Sequence, residues 1–467
     1  MFVLTDDLSW NLLNPRFAPH IVDLERRGET FTNYFVADSL CCPSRSTIFT
    51  GLFPHDTKVV TNVPPTGGYK KFQAEHLAKK TFAVALHGAG YATAMLGKYL
   101  NGYGDPKMTR NTAPVPPGWT DWHVSNRSGY KEYNYFLNDN GHIHYYAGPH
   151  KYGVDVLGAF ARSFIKRVKS KPFMVDVSTF APHAPYIPAL RNAHDFPDLR
   201  EPRDPSFDTN NVNPPTWLGH RKPLSTYQIA RIDRGFRKRA RSVEAVDKLV
   251  ADVESTLAAE HLTNRTYIVF SSDNGYHLGQ HRLARGKQTA FDTDIRVPLI
   301  VVGPHVPAGR TVTQVAQNVD LYPTFLDLAG RAPPGPIDGH SLVPLLHPAS
   351  KIGAWRTVAL VEHHGANDNP SDPDFEGGGS NPTAYEAIRI SAEHVPGFTG
   401  PVDALYVEYK DRDHELEYYD LKTDPYERDN IAKTLTPAQR LELHKTLTAL
   451  AGCHTQATCW AAGLPAP

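Results

Sequence analysis

The sequence predicts an α/β protein: a mostly parallel sheet flanked by helices, followed by a smaller C-terminal unit with an antiparallel sheet. Two observations carry that prediction. Up to about residue 350, short apolar runs of β-type alternate with stretches of helical periodicity, the pattern of a sheet covered on both faces. After the Gly/Pro/Asp/Asn-rich segment Asn367–Asn381, short strand-like runs follow one another without helices between them.

Taken in order, Phe2–Thr5, Tyr91–Leu96, Phe173–Ser178, Thr266–Ser271 and Leu299–Val302 read as buried strands. Val156–Val168 and Arg237–Leu262 read as helices, and the basic run Arg234–Arg241 as the solvated start of the second. The character changes around Ala349–Pro401, which divides the chain into units 1–350 and 351–467. The second unit holds strands Ala387–Ile390, Ala404–Glu408 and Leu416–Tyr419, then a terminal helix Pro437–Ala451.

Composition excludes several classes. With 49 Lys+Arg against 49 Asp+Glu, the formal net charge is zero, which argues against a nucleic-acid coat or a polybasic membrane binder. No run approaches the ~18–20 apolar residues of a membrane span. The 39 prolines in 467 residues exceed the ~5% average and predict long ordered loops. The opening Met1-Phe2-Val3-Leu4-Thr5 reads as a strand rather than a leader, as in a cytosolic chain or one whose leader is trimmed. Cys41 and Cys42 are adjacent and do not suit each other as partners, whereas Cys453 and Cys459 are expected to close a short loop in an oxidising compartment. The two Asn-x-Ser/Thr triplets at Asn126 and Asn264 are given no role.

In such a sheet, ligands gather beyond the carboxyl ends of the strands. The first strand ends in Thr5-Asp6-Asp7, and a distant one in Ser271-Ser272-Asp273-Asn274-Gly275. Each alone is ordinary turn or cap chemistry. Together they offer three carboxylates and an amide oxygen to one hard cation; calcium takes about 6–8 oxygens, leaving room for substrate and nucleophile. Nothing in the sequence resembles the Cys/His cluster of a structural zinc site. The segment Cys41-Cys42-Pro43-Ser44-Arg45-Ser46-Thr47-Ile48-Phe49-Thr50-Gly51 places a cysteine just before a helix start, where unpaired N–H groups favour an anion. An ordinary buried cysteine is the alternative reading.

That segment also matches C-x-P-S-R-x4-T-G, and with it the chain resembles the type I sulfatases, in which the first cysteine is oxidised to Cα-formylglycine. Further blocks resemble the family in the same order: LTDD to Asp7, LGKYLNGY with Lys98, PHAPYIP with His183, SDNG with Asp273 and Asn274, and GKQTAFDTDIRVP with Lys287. Val319–Gly330, Asp338–Leu346 and Tyr418–Ala432 resemble its later structural blocks. The resemblance implies the alkaline-phosphatase-like α/β sandwich and hydrolysis of a sulfate monoester on a carbohydrate or aryl alcohol. It implies one calcium held by Asp6, Asp7, Asp273, Asn274 and the modified Cys41, whose hydrate attacks sulfur. Arg45, Lys98 and Lys287 would add positive charge, and His183 with Lys287 would protonate the departing alcohol.

A formylglycine-generating enzyme, a sulfated small molecule or glycan, and a secreted or periplasmic setting are the implied partners and place. GKYLN and the doubled cysteine are similar to the glucosamine-6-sulfatase and arylsulfatase branch. Leu100 stands where many members carry a histidine, which leaves the elimination base unassigned, and Asn101 beside it is a candidate contact for sulfate or substrate. His277, His281, His363 and His364 are candidates for the pocket wall, each with a structural alternative. Two rivals remain: a phosphoester or phosphonate hydrolase of the same superfamily, and a catalytically silent glycan-binding protein on this scaffold. Asn274, where such hydrolases usually carry histidine, argues for the single-calcium sulfatase.

Overall fold

The computed structural model describes residues 1–347, 352–365, 369, 372, 374–375, 382–411 and 413–464. Its strands are β1 Phe2–Thr5, β2 Glu29–Phe31, β3 Tyr34–Phe35, β4 Ala92–Lys98, β5 Asp121–Ser125, β6 Tyr135–Asp139, β7 His142–Tyr146 and β8 Phe173–Ser178. They continue with β9 Ile268–Ser272, β10 Leu299–Val302, β11 Arg310–Val312, β12 Ala316–Gln317, β13 Val358–His363, β14 Tyr385–Ala392, β15 Val402–Tyr409 and β16 Leu416–Asp420. Among the described residues they form a ten-stranded sheet in the order β11-β2-β10-β9-β1-β8-β4-β5-β6-β7, a small β12-β3 pair, and a four-stranded sheet β13-β14-β15-β16.

The centre of the large sheet, β9-β1-β8-β4-β5, is parallel throughout. Both faces are covered, so side chains alternate between two cores. From β1, Phe2 and Leu4 pack into the core shared with Ile48, Phe49, Phe82 and Phe325. Val3 of the same strand packs into the opposite core, with Ile21, Phe164, Ile165, Val246 and Leu249. A third core joins Leu360, Ile388 and Tyr406 of the four-stranded sheet to Leu443, Leu447 and Leu450 of the helix Pro437–Ala451. Cys453 and Cys459 are disulfide-bonded, as the sequence predicts.

The expected central strands are present within one or two residues of their bounds, and the mixed, mostly parallel sheet with its antiparallel companion is the predicted fold. Differences lie at the edges. The strands β2, β3, β5, β6, β7, β11, β12 and β13 are not among those the sequence predicts; most are short or carry polar residues, so period-2 alternation is weak in them. The long helix runs Thr226–Ala259, because Ser225 and Gln228 form a reciprocal cap ahead of the predicted start. The basic run therefore lies inside the helix rather than at its start. Arg239 is buried there, which corrects its reading as solvated: its guanidinium reaches the carbonyl of Asp7 at 2.5 Å. The expected boundary at 350/351 and most of the segment Asn367–Asn381 lie outside the described residues.

Candidate active site

Four parallel strands end side by side, and the chemistry follows their ends. Thr5 pairs with Ser272, so Asp6-Asp7 and Asp273-Asn274 leave β1 and β9 together. Lys98 closes β4, and His183 lies just beyond β8. β4 approaches β8 so closely that a Cβ on Gly97, whose φ is +100°, would sit 2.0 Å from the carbonyl of Ser178. Only glycine fits there, and the approach sets where Lys98 enters the site.

The helix Cys41–Thr50 points its N-terminus at the same place. All ten of its residues are buried. Gly51 ends it in the left-handed region at φ 70°, donating its N–H to Thr47 at 2.8 Å, the usual stop for a helix that must turn at once. Ile48 and Phe49 anchor it in the core, each worth about 1.5–3 kcal/mol of burial. The two cysteines diverge: Cys42 packs into that core, while the Cys41 sulfur faces Lys287 Nζ at 2.8 Å and Asp6 at 3.3 Å. Arg45 is wholly buried, giving Nε to Asp273 at 2.7 Å and Nη1 to the carbonyl of Lys98 at 2.8 Å. Ser44 also bonds the Asp273 carbonyl. The helix is thus locked to the ends of β9 and β4.

Around Cys41 the charges interleave. Lys98 Nζ lies 2.6 Å from Asp6, and Lys287 Nζ lies 2.5 Å from Asp7 and 2.9 Å from Asp374. His183 Nε2 meets Asp374 at 2.7 Å and Asp7 at 3.5 Å. Burial disfavours charge on Lys98 and Lys287, but the carboxylates outweigh it and hold both well above the usual lysine range. Burial would likewise keep His183 neutral, yet Asp7, Asp6 and Asp374 raise it to about 9. Burial, with Asp374 and Asp6, pushes the Cys41 thiol well up against the opposing pull of Lys287 and Lys98. As a plain cysteine it is a poor nucleophile at neutral pH.

The donor set fits a hard cation. Asp6, Asp7, Cys41 and His183 each offer an atom within 4.8 Å of the others. Asn274 Oδ1 is a buried oxygen with no hydrogen-bond partner, Asp7 Oδ2 has only the His183 ring nitrogen 3.5 Å away, and Asp273 is anchored beside them by Arg45 and by the backbone N–H of Asp7. Such orphaned oxygens are costly unless something pairs with them.

The structure brings Asp6, Asp7, Cys41, Arg45, Lys98, His183, Asp273, Asn274 and Lys287 together. Asn101 lies at the edge, buried with both amide atoms unpartnered, in a cavity of about 280 Å³ shared with Asn62, Lys98, Leu100 and Tyr130. Of the other candidate histidines, His363 is buried with no hydrogen-bond partner on either ring nitrogen. His277 faces Asp294 at 3.0 Å, and His281 meets Asn211 at 3.0 Å and stacks on Phe291. His363 packs against Tyr385, and His364 lies 3.9 Å from Glu362.

Three participants escaped the sequence reading. Asp374 reaches over from the connection between β13 and β14 to touch His183, Lys287 and Cys41. Asn62 holds it at 2.6 Å while accepting from the Cys42 N–H at 2.9 Å. The Tyr130 ring packs 4.4 Å from the His183 ring and lies 5.1 Å from Lys98 Nζ. The only signal in the sequence was the acidic run of the Asn367–Asn381 segment; Asn62 and Tyr130 carried none.

A family model described as Sulfatase matches residues 1–331. An N-acetylglucosamine-6-sulfatase of Bos taurus is 33% identical over 446 residues, covering 91% of this chain and 78% of its own. An extracellular sulfatase of Drosophila melanogaster is 33% identical over 378 residues, 79% of this chain and 33% of its own. A protein solved in complex with its substrate, D-glucosamine-2-N,6-O-disulfate, superposes with a TM-score of 0.78 at 23% identity, covering 96% of each chain, and shares the fold. The chain belongs to the sulfatase family and is a sulfuric ester hydrolase.

Proposed function

We propose that the chain hydrolyses a sulfate monoester on a carbohydrate, at Cys41 converted to formylglycine and beside one calcium ion. The observation that carries this reading is the Cys41 sulfur, held at a helix N-terminus 2.8 Å from Lys287 and 3.3 Å from Asp6. Asp6, Asp7, Asp273 and Asn274, with residue 41, would hold the ion. Bound calcium supplies positive charge against the ester oxygens, and formylglycine supplies a hydrated aldehyde as nucleophile.

The chain's own residues do the rest. Lys98 and Lys287 offer ammonium protons to the sulfate oxygens, and Arg45 fixes the helix that carries residue 41. His183, whose pKa Asp7, Asp6 and Asp374 raise to about 9, would hold a proton on Nε2 for the departing sugar oxygen. Asp374 and Tyr130 set its ring plane. Asn101 and its cavity suit the part of the sugar next to the sulfate. The relatives' names support a glycan substrate, and the disulfide, with the extracellular relative, supports a secreted or periplasmic setting. No helix among the described residues is long and apolar enough to cross a membrane.

The test measures sulfate released by the matured enzyme from sulfated sugars and aryl sulfates, with phosphate and phosphonate esters as controls. Faster turnover of the phosphorus esters would overturn the reading. His183→Ala should cost about 10²–10⁴-fold on sugar sulfates and progressively less as the leaving-group pKa falls. Equal losses across that series would make His183 a positioning residue instead.

A further inference from the structure

The cavity beside Asn101 shares its wall with a second, larger hollow. Asn126, Arg127 and Tyr130 line it and also line an open groove of about 750 Å³. Among the described residues, every charged one in the wall of that groove is a cation: Lys107, Arg127, Lys131 and Arg285. Arg285 in turn helps to line a third hollow of about 330 Å³, together with Arg221, Arg231 and Arg282, and no described acid lines that one either. Two acids lie close without entering either wall: Asp105 accepts from the Arg127 backbone N–H at 3.3 Å, and Asp208 is 3.7 Å from Arg282 Nε. The whole chain carries as many acids as bases, and a neutral surface normally intersperses the two signs. A basic path that starts at the active-site cavity departs from that mixture.

Resting on the sulfatase reading above for the sugar beside Asn101, we propose that the two basic hollows bind the rest of the substrate, an anionic glycan chain with carboxylate or sulfate groups on the sugars adjoining the one that is cleaved. Charge complementarity and continuity both point to that occupant. A sulfate ester on a lone neutral sugar would find all the positive charge it needs at Lys98 and Lys287, and the outer cations would have nothing to pair with. Apart from Lys107 and Lys131, those cations are arginines, whose planar fork holds two oxygens of a carboxylate or sulfate at once.

The groove also has an apolar side. Phe136 lines it with 41% of its surface exposed, and its ring lies 4.8 Å from that of Tyr145, which is exposed as well. Such a ring offers a flat apolar face to the C–H side of a pyranose while the cations take its charged substituents. The groove is joined to the chemistry through one short element. The 3-10 helix Arg127–Lys131 carries two of the cations and also Tyr130, whose ring packs 4.4 Å from the His183 ring. A glycan seated on Arg127 and Lys131 is therefore registered against the residue that faces the departing oxygen.

The experiment first measures binding to the full chain with Cys41 unmodified, so that the probe is not consumed. Calorimetric titration compares D-glucosamine-2-N,6-O-disulfate with a tetrasaccharide in which that sugar alternates with uronic acid. The tetrasaccharide should bind at least about 10-fold more tightly, as several exposed ion pairs together allow, and added salt should remove most of the advantage. Reducing the uronic carboxyls, or exchanging N-sulfate for N-acetyl, deletes one kind of anion at a time, and the arm that weakens identifies the group the cations hold. Lys131→Ala combined with Arg231→Ala, both at exposed positions, should weaken the tetrasaccharide about 3- to 10-fold and leave the monosaccharide unchanged. In the matured enzyme the same double variant should raise KM for the tetrasaccharide at constant kcat and turn over nitrophenyl sulfate like the parent. Equal affinity for tetrasaccharide and monosaccharide, full affinity in the double variant, or affinity that survives both carboxyl reduction and N-acetylation would overturn the track. Tight, salt-sensitive tetrasaccharide binding by a matured enzyme that releases no sulfate from any probe would leave the track standing and break the sulfatase reading instead.

Discussion

The two sheets feed the active site in different ways. The large parallel sheet delivers its residues from strand ends, where register fixes position: Thr5 beside Ser272 puts Asp6 and Asp273 within reach of one ion. Among the described residues, the four-stranded sheet delivers Asp374 from the connection between β13 and β14, and it is held by Asn62, His183 and Lys287. Its strands are antiparallel and largely spent on their own core with the helix Pro437–Ala451. Chemistry placed by a sheet is built in; chemistry placed by a connection is held by its partners and is the easier part to change.

Replacing residues from each region sharpens that contrast. Cys41→Ala should cost at least about 10³-fold in activity, as loss of a nucleophile does elsewhere. Cys42→Ala should only open a small void, at roughly 1 kcal/mol, and leave turnover nearly intact. Peptide mass spectrometry after maturation should find the aldehyde on Cys41; finding it on Cys42 would reverse the assignment.

Asp273→Asn should lose calcium affinity and activity together, by roughly 10²-fold, since the ion has few carboxylates to spare. Chelation should silence the parent and calcium restore it; hydrolysis untouched by exhaustive chelation would remove the ion from the reaction. Asn is the informative replacement, because Ala would leave the buried Arg45 unpaired at a cost of about 3–5 kcal/mol. Asp374→Asn should cost less, about 10-fold, because His183 and Lys287 remain in place. A gain in activity would mean that Asp374 competes with the sulfate instead of orienting His183.

The smallest effect lies outside the site. Burial raises Glu132, which accepts from the Val154 N–H at the start of the helix Gly153–Val168, to about 8. Its folded pKa lies above the unfolded one of 4.5, so the folded state binds the extra proton. Its contribution is complete below pH 4.5 and is lost as pH rises through about 8. Glu132→Gln, neutral at every pH, should flatten the fall in melting temperature between those limits. An unchanged slope would mean that the carboxyl is already ionised when folded.

What the sequence made legible follows the same division. β1, β8 and β9 open on apolar runs, Phe2–Leu4, Phe173–Val175 and Ile268–Phe270, as strands buried on both faces do. The polar residues that end β1 and β9 stand out against that background, so Asp6, Asp7, Asp273 and Asn274 could be named in advance, whereas His183 was legible only through the family block around it. Lys287 follows no strand and was legible only through the family block around it. Asp374 was hidden because a carboxylate in a Pro/Gly/Asp-rich connection looks like turn chemistry, and only contacts far away in the chain give it a role. Arg239 was misread for the converse reason. A basic run looks solvated, and nothing local tells that one of its members turns inward to the Asp7 carbonyl.

The closed packing of the Cys41–Thr50 helix has a consequence for the order of events in biosynthesis. Cys41 and Arg45 have no solvent exposure, and every residue of that helix is buried. Another protein that must grip the Cys-x-Pro-Ser-Arg stretch therefore has no access to it once the sheet has closed. The oxidation of Cys41 that the proposed function requires would then have to happen on the nascent or unfolded chain. On that reading the fraction of active molecules would be set by a race between modification and folding, so a variant that folds faster would be matured less.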